Sequence, residues 1–159
     1  MRDKRFVAQH RGGPLTKELH IQLMLWACYC AENVLPLFGD KIDERLSYAL
    51  FIAKEWTKGA ATVGDARNAS VDAHALAREC SNPVSIAVAR AVGHAVATAH
   101  MADHSLGAAL YALKAVNIAG KSVEDERDRQ FKQLLKLPQD IVELVLNTIK
   151  IKEKSFKLN

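Results

Sequence analysis

The chain is 159 residues long, 49% hydrophobic and 25% charged, with a formal net charge of +4. That length is enough for one domain with its own core, and that composition excludes a wholly disordered chain. The charge is mildly basic and too small to demand a polyanionic partner.

Residues 1–15, "MRDKRFVAQHRGGPL", are charged and lack the apolar stretch of a secretory signal, so a cytoplasmic location is the default expectation. They read as a lead-in segment. Phe6 and Val7 can tuck under the helices that follow, and Gly12 with Gly13 permits an unusual turn. Arg5 and Arg11 are candidates to bind an anion or a carboxylate.

Thr16 then caps a first helix, in which Leu19, Leu23, Trp26, Cys30 and Val34 recur at three and four residues. Pro36 ends or kinks it. Cys28 and Cys30, two apart on a helix, are expected on nearly opposite faces. With Cys80 they are too few and too sparse for a disulfide framework or a metal motif, and buried free thiols are the plainer reading.

Asp43 opens a second helix, with Leu46, Leu50, Ala53 and Trp56 along one face and Gly59 as its stop. Thr62 and Asp65 form a capping pair for a third, running to about Cys80. Asn82-Pro83 starts a fourth, expected to run to about Met101. Asp103 or Ser105 caps a fifth that ends at Gly120. Ser122 with Asp125 caps a sixth, acidic first and basic later, as the helix dipole prefers. Pro138 opens a seventh, and the basic tail 150–159, with Lys150, Lys152, Lys154 and Lys157, is expected to fray.

The fold class is therefore all-α: about seven helices in a single helical domain over 1–159, with no strand signal. Helix pairs recurring about every forty residues, from Asp43, Pro83 and Ser122, leave open a short array of stacked helical hairpins beside a compact bundle. Ala89, Gly93 and Ala97, like Ala91, Ala95 and Ala99, form small-residue ridges that let helices approach closely. The longest uncharged stretches, Ile21 to Ala31 and Ala91 to Ala102, fall short of the roughly 20 residues of a membrane span, so no membrane partner is expected. Ile141, Leu144, Val145 and Ile149 make a stripe that suits a core helix first and a homo-oligomer contact second.

Three histidines cluster in "GHAVATAHMADH". On a continuous helix His100 and His104 share a face, a spacing that can hold zinc. The stretch "HMADH" lacks the glutamate of a zinc-protease motif, and His94 points about 120° away. His74 on the third helix is a further candidate. Neutral rings hydrogen-bonded within an alanine-rich core are the preferred reading. A metal held by His94, His100, His104 and His74, or acid–base work by them, is the alternative. No phosphate loop, nucleophile motif or Glu-x-x-His pair is present, so no cofactor is expected.

"EDERDR" reads as a solvated helix start, with Glu124, Asp125 and Arg127 as candidates for a binding face. The basic tail lacks the aromatic platform of a nucleic-acid site, which argues against that partner.

"RFVAQHRGGPLTKELH", "LWACYCAENVLPLF", "GHAVATAHMADHSLGAALYALKAV" and "ERDRQFKQLLKLPQDIVELVL" together resemble the Imm-5-like family of bacterial immunity proteins, in order and over nearly the whole chain. The resemblance implies an all-α domain and a non-enzymatic cytosolic protein that neutralises a bacterial toxin by direct binding. It supplies no catalytic residues to carry over. The alternative is a metal-binding protein or metal-dependent enzyme built on the histidine cluster.

Overall fold

Side-chain oxygens set most of the helix starts. Thr16 accepts from the Leu19 N–H, Asp43 from Arg45, Thr62 from Asp65, Asn82 from Val84 and Ser122 from Asp125. The computed structural model, which describes residues 2–158, accordingly contains α1 (Lys17–Val34), α2 (Glu44–Thr57), α3 (Val63–Glu79), α4 (Pro83–Ala97), α5 (His104–Ile118), α6 (Val123–Leu134) and α7 (Gln139–Lys152). Short 3-10 turns flank them, and among the described residues the extended pairing amounts to one isolated bridge, between Ala8 and Leu15.

The helices close on one another. α4 touches α1, α2, α3 and α5, and α1 touches α2, α4, α5 and α6. A linear array keeps each repeat to its neighbours, so this arrangement is a bundle. Its centre is where small residues concentrate: Ala87, Ala89, Ala91 and Ala95 of α4, Ala69 and Ala73 of α3, and Ala108, Ala109 and Ala112 of α5 are all buried in one core. Cys28 and Cys30, two apart on α1 and so on nearly opposite faces, are both buried free thiols, because α1 is covered on more than one side. By length and composition alone Lys17–Phe38 is also apolar enough to cross a membrane; in the fold its apolar face is the wall against which α2, α4 and α5 pack.

α4 stops at Ala97, not near Met101. The N–H groups of Thr98, Ala99 and His100 reach back three residues instead of four, tightening the last turn. The carbonyl of Thr98 takes a bond from His20 Nε2 on α1. A tertiary partner thus satisfies a group that would otherwise be orphaned at the helix end.

In the described part of the C-terminal segment, where the sequence suggests a frayed tail, the chain is helical. α7 runs on into a 3-10 turn, Glu153–Phe156, and the Phe156 ring meets Tyr111 at 4.9 Å. Ile141, Leu144 and Val145 are buried within the chain. At the other end Phe6 is 1% exposed and anchors the lead-in segment. Gly12 takes a left-handed φ of 87°, and Gly13 lies so close to the Val7 carbonyl that no side chain fits there.

Candidate functional site

The break after α4 changes the geometry of the histidines. His100 sits in the turn and His104 begins α5, so the two do not share a helical face, yet their rings lie 5.0 Å apart. α4 and α5 bring His94 to 5.3 Å from His104, and α3 adds His74 at 5.2 Å from His94. The result is a row, His74–His94–His104–His100, running between three helices and a turn.

Two helix-interior glycines make room for it. A Cβ on Gly93 would meet the His74 ring at 2.7 Å, and one on Gly107 would meet the His94 ring at 2.6 Å. An interior glycine costs a helix about 1 kcal/mol against alanine, so each imidazole occupies space gained at that expense. Gly93 is therefore more than one step of a small-residue ridge: it is a ring seat. Tyr111 completes the packing, stacked on His94 at 5.3 Å and 15°.

Hydrogen bonds fix the tautomers. A guanidinium can only donate, so Arg90 Nη1 donates to His74 Nδ1 at 2.7 Å and the His74 proton resides on Nε2. His94 Nδ1 and His104 Nδ1 are 3.2 Å apart; one donates and the other accepts, so the two neutral rings hold opposite tautomers. Burial pushes His94 down to about 3, helped by the neighbouring His74 and His104. Burial likewise takes His74 and His100 to about 4 and lowers His104. The row is uncharged at neutral pH. The buried Nδ1 of His100 and Oδ1 of Asp103 have no partner among the described residues, while the other Asp103 oxygen accepts from Arg2 Nε at 2.7 Å.

Three surface features surround this row. The middle of the row, His94 and His104, lines a cleft of about 270 Å³ between α5 and the C-terminal turn, with Asp103, Lys152 and Phe156 also on its walls. The His74 end meets a depression of about 380 Å³ lined by Ser70, Val71, His74, Arg78 and Arg90. Separately, α6 and α7 form a groove of about 400 Å³ with Glu124, Arg127, Phe131 and Leu146 on its rim. Of the charged candidates, Arg127 binds Glu124 and Glu153 there, whereas Asp125 stays on the exposed first turn of α6. Arg5 is held by the adjacent Asp3, and Arg11 is exposed.

Reading the sequence does not single out Arg90, Gly107 and Tyr111 as site residues. Arg90 precedes His94 by one helical turn, and Gly107 interrupts a helix otherwise rich in alanine and leucine. Those two irregularities are the signals that were there to be read.

Among the described residues no set of three His, Cys, Asp or Glu converges to hold a metal ion. The facing Nδ1 atoms of His94 and His104 are already engaged with each other, and a zinc centre takes three or four protein ligands. We expect added zinc to leave the melting temperature unchanged. A melting temperature that climbs with zinc concentration would restore the metal reading.

Comparison with known proteins gives one family. The model described as "Imm-5 like putative immunity protein" matches residues 13–137, from the end of the lead-in through α6. Neither curated proteins nor solved structures yield a match.

Proposed function

We propose, from the premise that this chain belongs to the Imm-5-like immunity protein family, that it is a non-enzymatic binding protein that neutralises a bacterial toxin by direct contact in the cytoplasm. The observation that carries this reading is the family match, which contains α1 to α6 and the entire histidine row. The geometry is in keeping with it. Rings wedged against Gly93 and Gly107 and stacked on Tyr111 brace three helices against one another. A braced surface loses little freedom when a partner binds, and that lowers the cost of association.

Neighbouring genes supply the test. Each flanking gene product is expressed in a sensitive bacterial host with and without this protein, and toxic products are then mixed with it in purified form. One product is expected to arrest growth, to be rescued by co-expression, and to form a stoichiometric complex by size-exclusion chromatography and calorimetry. A toxin that is rescued without any complex would point to a catalytic protector instead. Absence of both rescue and binding across the flanking products would remove the immunity reading.

A further inference from the structure

We propose that the α3–α4 face carrying Arg67, Val71, Arg78 and Arg90 docks an acidic segment of the toxin, an inference that rests on the immunity reading above. Residues 67, 71, 74 and 78 recur at i, i+4, i+7 and i+11, so they form one stripe along α3. Arg67 and Arg78 are exposed, and Val71 between them is 62% exposed. α4 adds Arg90 beside the stripe, at the wall of the 380 Å³ depression.

The charge on this face is uncompensated. Arg2, Arg5, Arg45, Arg127 and Arg129 each hold a carboxylate. Arg67, Arg78 and Arg90 hold none among the described residues. The acidic residues of α3 nearest the stripe, Asp72 and Glu79, lie about 100° or more round the helix axis, and Glu79 is engaged by Arg45. The opposite holds in the α6–α7 groove, where Arg127 is satisfied by Glu124 and Glu153.

Arg90 is also positioned in advance. Its Nη1 is fixed on His74, a ring that burial keeps neutral, so its remaining N–H donors stay available to a ligand. A guanidinium fork held in place this way meets a carboxylate in two parallel bonds, with little rotamer entropy left to lose. Arginine is among the residues that interface hot spots favour, and an unpaired positive field steers an acidic partner. The family match contains all of α3 and α4, whereas the α7 wall of the rival groove lies beyond residue 137.

The experiment uses full-length protein and the toxin identified by the rescue assay. Calorimetry compares wild type with the double variant Arg67→Glu/Arg78→Glu, with Arg90→Lys, and with Arg127→Ala as the groove control. The double variant is expected to raise Kd by about 100-fold, Arg90→Lys by about 10-fold, and Arg127→Ala by less than about 3-fold. Wild-type affinity is expected to fall as salt rises, and that of the double variant to fall less. Both arginines in the double variant are exposed and unpaired, so its melting temperature is expected to match wild type; if it does not, Arg90→Lys carries the test. A tight complex indifferent to these arginines overturns this inference and leaves the immunity reading standing. No complex with any flanking product overturns both. Binding of a 20-base-pair DNA duplex that needs the arginines, beside toxin binding that does not, assigns the face to nucleic acid and overturns the inference as well.

Discussion

Acidification is expected to destabilise this protein steeply as pH falls from about 6.5 toward 4.5, above the ordinary midpoints of its carboxyls. In an unfolded chain a histidine titrates near 6.5. In the fold, burial holds His74 and His100 at about 4 and His94 at about 3, and it also lowers His20 and His104. Between the two values the unfolded chain binds more protons than the folded one, so stability is full above about 6.5 and declines as the pH drops through the window. Each such group contributes a slope of up to about 1.4 kcal/mol per pH unit, and the half-buried rings of the row contribute somewhat less than that limit. The lowered carboxyls of Asp3, Asp43 and Asp65 act only further down, below their ordinary value of 3.8. Urea midpoints measured from pH 8 to 4.5 should be level at first and then fall. His94→Asn, which removes one titrating ring, should shallow that fall even if it lowers the plateau. A midpoint that holds level down to pH 5 would show that these rings are not kept neutral by the fold.

This acid sensitivity follows from a site only half legible in the sequence. Local signals were legible because the chain itself answers them. Thr16, Asp43, Thr62, Asn82 and Ser122 each cap the helix they precede, and the bonds involved span two or three residues. Long-range partners decided what was missed. α4 ends at Ala97 because the tightened turn there is sustained from outside, by His20 across 78 positions in the chain. The last helical turn packs back where Phe156 meets Tyr111 and Glu153 meets Arg127, and neither meeting is encoded near residue 150. The histidine cluster was visible as a cluster, but its geometry was not. A continuous helix would have set His100 beside His104 on one face and turned His94 away. The break instead lets α5 fold back on α4 and lays His104 against His94. The preference for rings that pack over rings that coordinate came from the surrounding alanines, and the way Gly93 and Gly107 seat those rings is in keeping with it.

Gly107→Ala is expected to destabilise the wild type and to stabilise a chain that lacks the His94 ring. Alanine in a helix interior ordinarily gains about 1 kcal/mol over glycine. Here the added Cβ would lie 2.6 Å from His94 Nδ1 and 2.7 Å from Cγ. Cγ is the root of the ring and not its tip, so a small swing does not relieve the contact. Tyr111 stacked on one side and His74 at the edge hold the ring where it is. Overpacking of this kind costs about 1–3 kcal/mol, and with the root of the ring unable to yield, the upper part of that range applies, so it outweighs the helical gain and leaves a net loss of up to about 2 kcal/mol, or a melting temperature lower by up to about 8 °C. His94→Ala opens the seat, and in that background only the helical gain remains, so Gly107→Ala should then raise the melting temperature. The reversal of sign is the coupling between the two residues, read as a double-mutant cycle. Gly93→Ala offers a graded comparison. It meets the outer atoms of His74, a half-buried ring that can swing outward by giving up its bond to Arg90, so a smaller loss is expected. If Gly107→Ala raised the melting temperature of the wild type as well, the ring would not be wedged against α5, and the bracing of the three helices by the histidine row would have to be abandoned.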